Sequence, residues 1–331
     1  MKFGPLPVDQ AEGKILAHNI AGPNGRRAFR KGKLLTARDV SALLKEGYKS
    51  IYVAEIMSND VDENSAACKV AEMAMGGGLK IKGPSAGRVN LASIYKGVLQ
   101  VDAERLAQIN ECEGITFATL RSYAVVRAQQ SVATIKIIPY AVPAAALDQM
   151  ASEINANLPL IQVKELKPRR VGIVFSGLPQ AHDYVFKTFE PPLRQRIEDY
   201  GSLITSIEYI PLEGEKDEAD LAAILRGQID QGIEVIVLAS ETSTMDRNDI
   251  VPRAVERAGG QVTSVGAPVD PGNLLLLAYI NNIPILGVPG CVRSPKKNIV
   301  DWVLPALLAG DHLIKSDIAA MGYGGLIEEQ N

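Results

Sequence analysis

From Val171 onward the chain alternates between two hydrophobic periods, and that alternation limits the folds open to it. VGIVFSG (171–177), SLITSIEYIPLE (202–213) and EVIVLAS (234–240) are short, apolar and β-branched. Helical patterns follow them at 184–199, 217–231 and 249–258. QVTSVGAPVD (261–270) reads as a further strand, LLLAYINNIPILGVPG (275–290) as a further apolar run, and NIVDWVLPALLAG (298–310) as a closing helix. Strands that are apolar throughout are buried on both faces. Strand and helix in strict alternation form a parallel sheet with helices on either side. Residues 166–331 are therefore expected to be an α/β domain, a three-layer, doubly wound, mostly parallel sheet.

The preceding half has a different rhythm. Over 1–78 it is mixed α/β: AEGKILAHNI (11–20) fits a short helix or a strand, while Thr36 can cap a helix over 37–46 that Gly47 stops, with SIYVAEI (50–56) as a strand. A helix is expected from Asp62, ended by Gly76–Gly78. Residues 79–165 carry short β-rich runs, a small helix at 103–111 and another at 143–155, which suggests a small β-rich domain. KELKPRR (164–170) is the expected linker.

Composition narrows the function. With 47% apolar and 22% charged residues in 331, the chain can bury two or three cores and is not disordered. A net charge of −3 gives no basis for broad nucleic-acid affinity. Cys68, Cys112 and Cys291 have no paired or metal-like spacing and read as free thiols in a reducing compartment. The start lacks the apolar core of a signal peptide, and no run approaches the roughly 20 apolar residues of a membrane span. A cytoplasmic protein that binds neither nucleic acid nor membrane is expected.

In open α/β sheets ligands bind beyond the carboxyl ends of the strands. Four loops should meet there: SGLPQAHD (176–183), SETSTMDRND (240–249), DPGN (270–273) and PGCVRSP (289–295). Both Pro-Gly turns fall among them; glycine lets backbone N–H groups approach a ligand and proline fixes the turn. The second loop is the richest, with Ser240, Thr242, Ser243, Thr244, Asp246, Arg247 and Asp249, and a helix beginning near Ile250 with Pro252 in its first turn. Hydroxyls at a helix N-terminus favour an anion such as phosphate. Asp249 has two readings, a helix cap alone or a ligand group. Asp246 is a candidate magnesium ligand, since magnesium takes one or two carboxylates plus phosphate. Arg293 is expected to supply the main positive charge, with Asp301 as its alternative partner.

Other features read as structural. The glycine-rich 76–88 stretch lacks the Gly-Lys-Ser/Thr ending of a phosphate loop and is expected to be linker and turn. His18, His182 and His312 read as surface or packing residues, and Cys291 as an inert thiol. Glu213, Glu215, Asp217, Glu218 and Asp220 read as a solvated loop and helix start.

With these residues assembled, 168–315 resembles the molybdopterin-binding fold family, which includes molybdopterin adenylyltransferases and the corresponding domain of molybdenum insertases. EVIVLASETSTMDRNDIVPRAVERAGG looks like the family's strand, Gly-Gly-Thr-type loop, Asp and Pro-led helix; VDPGN and ILGVPG look like its turns, and VLPALLAG its last helix. MKFGPLPVDQAEGKILAHNI, GRVNL, VATIKIIPYAVP, LPQAHDYVFKT, DPGNLLL, PGCVRSPKKN, DWVL and MGYGG look like a bacterial group of molybdopterin-binding proteins, some of which continue into a nucleotidyltransferase-like domain. Residues 12–60 resemble the start of molybdenum insertases.

The resemblance implies binding of molybdopterin, or a nucleotide form of it, with magnesium as a further cofactor. It places the pterin ligand at Ser176, Gly177, Lys187, Thr188, Ser240, Thr242, Ser243, Arg247, Asp270, Pro271, Gly272, Asn273, Pro289, Gly290, Arg293 and Ser294, and the candidate catalytic and metal role at Asp246 and Asp249. Two departures stand out. Ser240-Glu241 replaces the family's two glycines, and the acid of the first loop is missing: Asp183 is out of register, and Lys187 and Thr188 occupy roughly its place. Pterin binding transfers better than catalysis, so two functions compete: a role in cofactor assembly or insertion, and non-catalytic carriage to a molybdoenzyme. Nucleotidyl transfer, if required, would come from another chain. A homo-oligomer is expected. A third reading, from fold analogy alone, is an unrelated nucleotide-binding protein.

Overall fold

Strand β1 (Arg170–Gly177) is buried at every residue but Arg170, so both its faces must be covered. The computed structural model describes residues 1–22, 27–153, 158–214 and 216–327. They divide into two units, Met1–Ser122 with Val126–Val163, and Tyr123–Val125 with Lys164 onward.

In the second unit β1 lies between β2 (Leu203–Pro211) and β3 (Val235–Ser240) in a six-stranded sheet completed by β4 (Gln261–Val265), β5 (Leu276–Ile280) and β6 (Ile283–Gly287). The order is β2-β1-β3-β6-β5-β4. The pairs β1–β2, β1–β3 and β3–β6 are parallel, whereas β5 is antiparallel to both β6 and β4. The expected mostly parallel sheet is therefore present. The chain steps from β1 to one side for β2 and to the other for β3, which makes the gap between β1 and β3 the topological switch point.

Alternation along the strands sends successive residues to opposite faces. Val174, Ile236, Leu238, Leu276 and Ala278 pack with Leu221 and Leu225 of α2 (Lys216–Asp230) and with Ala254 and Val255 of α3 (Ile250–Arg257). Phe175 points the other way and meets Phe186 of α1 (His182–Asp199), ring centroids 4.8 Å apart. Two further helices, α4 (Val300–Leu308) and α5 (Lys315–Ala320), complete the unit.

The apolar run 275–290 is two strands rather than one. Asn281 and Asn282 take φ of 47° and 66°, and β5 pairs antiparallel with β6 from Ile280↔Ile283 outward. Two consecutive left-handed residues make a two-residue hairpin turn whose twist suits the strands it joins, and Asn tolerates that conformation. The acidic stretch after β2 is also more than solvated surface. Asp217 accepts the Glu213 and Gly214 N–H groups at 2.6 and 2.9 Å. Glu218 joins α2 to α3 through Arg253 at 3.1 Å and Arg257 at 3.4 Å. Glu215 lies outside the described residues.

In the first unit, Ser50–Glu55 is the central strand between Lys2–Pro7 and Ile15–Leu16. Thr36 caps the helix Ala37–Lys45 in a capping box with Asp39. Leu35, Val40, Leu43, Ile51 and Val53 share one core. Asp62 accepts the Asn64 and Ser65 N–H groups and starts the helix Glu63–Ala74. That helix lays Ala66, Ala67, Val70, Ala71 and Ala74 against an antiparallel sheet in the order Ile115–Thr119, Ser131–Ile137, Arg88–Ser93, Leu79–Ser85. The glycine-rich stretch expected to be linker is thus mostly strand: Leu79–Ser85 pairs with Arg88–Ser93 through a turn at Ala86 and Gly87, φ 48° and 69°. The helix expected over 143–155 runs Ala144–Glu153, and 154–155 lie outside the described residues.

Candidate functional site

Strands β1, β3, β4 and β6 run in one direction, and β5 starts at the edge where β4 ends. The loops after β1, β3 and β6, and the β4–β5 connection, therefore leave one rim of the sheet. All four sequence-identified loops lie there.

At the switch point Ser176 and Gly177 are buried within β1. The Ser176 carbonyl accepts the Glu241 N–H at 3.0 Å. Glu241 is exposed, and its Oε2 accepts the Leu178 N–H at 3.2 Å. A Cβ on Gly177 would sit 3.0 Å from that of Glu241, so glycine at 177 matches the acid across from it. Tyr209 donates to the Leu178 carbonyl at 2.7 Å. Burial, and the Glu241 carboxylate beside it, push the Tyr209 phenol above its usual pKa. The His182 ring packs on Phe186 at 4.6 Å and Tyr209 at 4.7 Å, a packing role.

In the loop after β3 the two carboxylates hold the loop itself. Asp249 stands at the N-cap of α3 without capping it. Its Oδ2 reaches back and accepts the Met245 and Asp246 N–H groups at 2.6 and 3.0 Å. Asp246 Oδ1 accepts the Asn248 N–H at 2.8 Å and the Asn248 side-chain amide at 2.7 Å. Arg247 donates to the Val262 carbonyl of edge strand β4 at 3.3 Å. Thr242 is exposed, and Ser240 and Ser243 are half-buried. Among the described residues no cluster of three or more His, Cys, Asp or Glu could hold a metal. A magnesium ion would fit only with the second oxygens of Asp246 and Asp249 and with phosphate oxygens completing its shell.

The first Pro-Gly turn is built by packing. A Cβ on Gly272, where φ is +136°, would lie 2.3 Å from Ile299 Cγ2, so only glycine lets the turn meet the start of α4. The Pro271 carbonyl accepts the Ile299 N–H at 3.2 Å. Asp270 is held on both sides of its peptide: its N–H donates to the Gly325 carbonyl at 2.9 Å, and its carbonyl accepts the Ile327 N–H at 2.8 Å. The Asn273 carbonyl accepts the Ala267 N–H at 2.9 Å, and its side chain is exposed.

At the second turn Pro289 is buried, and Gly290–Arg293 form one tight helical turn. Arg293 does not pair with Asp301. It donates to the Gly290 carbonyl at 2.9 Å and to the Tyr184 hydroxyl at 2.8 Å, with its guanidinium 5.3 Å from the Phe189 ring centroid. Asp301 instead pairs with Arg196 of α1 at 3.0 Å. Arg196, 8% exposed, also donates to the carbonyls of Val292, Ser294 and Lys296 at 3.2, 3.0 and 3.1 Å. Sequence reasoning missed both Arg196 and Tyr184. Arg196 falls on the apolar stripe Val185, Phe189, Leu193, Ile197, and a buried arginine on such a stripe needs acceptors. Lys187 is exposed on α1, and the Thr188 hydroxyl donates to the Tyr184 carbonyl at 2.8 Å. Burial pushes the Cys291 thiol above its usual pKa, consistent with an inert residue.

Residues 5–55 match a family described as a domain of unknown function (DUF8806). No curated protein matches the chain. Among solved structures the chain is similar to the molybdopterin biosynthesis enzyme MoaB from Thermus thermophilus, at 18% identity over 43% of this chain and 98% of that one, TM-score 0.31. It is also similar to a molybdopterin biosynthesis MoeA protein from Pyrococcus horikoshii, at 13% identity over 93% of this chain and 75% of that one, TM-score 0.30. A third is a molybdenum cofactor biosynthesis protein from Pyrococcus furiosus, at 10% identity, TM-score 0.25, with 93% of this chain covering 63% of that one.

Proposed function

We propose that the strand-end rim of the second unit binds molybdopterin, bare or in a nucleotide form, and that the chain serves molybdenum cofactor biosynthesis, insertion or delivery. One observation carries this: the four loops whose motifs resemble the molybdopterin-binding family leave the same edge, around the β1/β3 switch point. Thr242, Ser243, Asn273 and the exposed guanidinium of Arg293 supply hydroxyl, amide and cationic donors there, a set suited to a phosphate-bearing pterin. Magnesium, when bound with such a ligand, would neutralise phosphate charge at Asp246 and Asp249.

A specific observation favours carriage over transfer. Asp246 and Asp249 each commit an oxygen to their own loop, and Glu241 closes over the end of β1 where the family's glycines leave space. The partner is then a molybdoenzyme receiving the cofactor, or a nucleotidyltransferase supplying it, and the chain works as a homo-oligomer.

Calorimetry of the purified protein against molybdopterin, its adenylate and its cytosine dinucleotide form tests the reading. At least one form should bind, and Arg293→Ala should weaken it by about 1.5–3 kcal/mol, the range for a hydrogen bond to a charged group. Absence of binding by all three would overturn the proposal.

A further inference from the structure

We propose that the first unit carries a separate anion site, a groove on its four-stranded sheet that takes a small molecule bearing two or more phosphates. The groove encloses about 750 Å³, within the range of small-molecule sites. Lys31, Lys82, Arg88, Asn90 and Lys136 line it, with Glu63 as its carboxylate.

The sheet register puts Lys82, Arg88, Asn90 and Lys136 on one face. Lys82 lies opposite Asn90, and Arg88, two residues from Asn90, lies opposite Lys136. Like charges directly opposed across a strand pair destabilise it, and only half of this pair is relieved inside the protein. Lys136 reaches Glu63 at 3.3 Å and the carbonyls of Ala86 and Ile137. Lys82 donates to the neutral Gln129 carbonyl at 2.9 Å. Lys31, Lys82 and Arg88 have no carboxylate partner among the described residues. The Thr134 hydroxyl donates to Asn90 Oδ1 at 2.6 Å, so Asn90 offers the groove its NH₂ donor. The groove therefore presents cations and donors, with its one carboxylate already engaged, in a chain whose net charge is −3. Concentrated positive potential of that kind attracts and holds a multiply charged anion. Ile138, 61% exposed, and the half-buried Tyr140 continue the lining and give an apolar surface beside the cations. Tyr140 is fixed by its hydroxyl, which donates to the Ala17 carbonyl at 3.0 Å.

Titration of the full chain with inorganic pyrophosphate and with adenosine diphosphate tests the site. Wild type should bind pyrophosphate, more weakly as salt rises. The double variant Lys82→Gln, Arg88→Gln should bind it at least about tenfold more weakly, while Lys45→Gln, an exposed cation outside the groove, should leave it unchanged. Without ligand the double variant should melt no lower than wild type, because it removes the Arg88–Lys136 repulsion. Tighter binding of adenosine diphosphate than of pyrophosphate would support a nucleoside resting on Ile138 and Tyr140; equal binding would support recognition of the phosphate chain alone. Failure of wild type to bind either probe, or undiminished binding by the double variant, would overturn the proposal.

Discussion

Arg196 ties the loop at 290–296 to helix α1. One guanidinium meets a carboxylate and three carbonyls of the segment, so its removal strands several polar groups at once. Arg196→Ala should destabilise the second unit by about 3–5 kcal/mol, as for breaking a buried pair, and Arg196→Lys should not restore it because an ammonium cannot span those acceptors; urea unfolding measures both. Asp249→Asn should keep stability within about 0.5 kcal/mol, since an amide oxygen can still accept from Met245 and Asp246, yet it should lower pterin or magnesium affinity if the second oxygen is a ligand. Unchanged affinity with and without magnesium would leave Asp249 a loop residue. In the first unit, a hydrogen bond from Lys33 and the Thr36 N–H hold the Asp39 carboxyl down to about 2, against 3.8 in its absence. A carboxyl lowered by folding adds stability that is complete above its unfolded value and lost as pH falls through its folded one. That contribution should therefore fade from about pH 4 to about pH 2, and Asp39→Asn should flatten this stretch of an acid-unfolding curve. Thr36 was legible as a helix start because its capping contact lies within one turn; its partner Asp39 was not singled out. Arg196 was not, because its acceptors belong to a loop about a hundred residues away in sequence.

Among elements, the sequence pattern revealed the parallel strands and their helices, since apolar runs and helical periods alternate at readable lengths. It hid the β5–β6 hairpin inside one apolar run. The available signal was Asn281-Asn282, a turn pair set between two apolar stretches. Alanine at either position should cost about 1–2 kcal/mol, the penalty of left-handed backbone for a residue with an ordinary side chain, and Asn282→Gly should recover it; thermal unfolding checks the series. A similar blindness affected 79–85, where glycine was taken as a breaker. In a strand, glycine also marks a bulge, and here the register shifts between Lys82 and Ser85 beside Gly83.

For the whole molecule, strand order decided more than any motif. That the candidate loops share a rim followed from the α/β pattern, but how they use their side chains did not. Glu241 illustrates this: the sequence showed only that it stands where the family has a glycine, and in the structure its carboxylate accepts the Leu178 N–H at the end of β1. If that carboxylate sets which ligands the rim accepts, Glu241→Gly should strengthen binding of a phosphate-bearing pterin by about tenfold or more, by removing one repelled charge and freeing one backbone donor. Calorimetry on the variant checks it, and weaker binding would show that the acid contributes to recognition instead.

The pairing of Asp270 with Gly325 and Ile327 means that part of the rim is fastened by backbone far along the chain, outside the four loops themselves. A Cβ on Gly325 would lie 2.4 Å from the Pro268 carbonyl, so only glycine lets this segment come so close to the turn. The tail is in effect a zip on the turn that carries Pro271 and Gly272: an addition or substitution there that lifts Gly325 would loosen the ligand edge while leaving the sheet intact, and amide exchange at Asp270 and Ile327 would register the slack first.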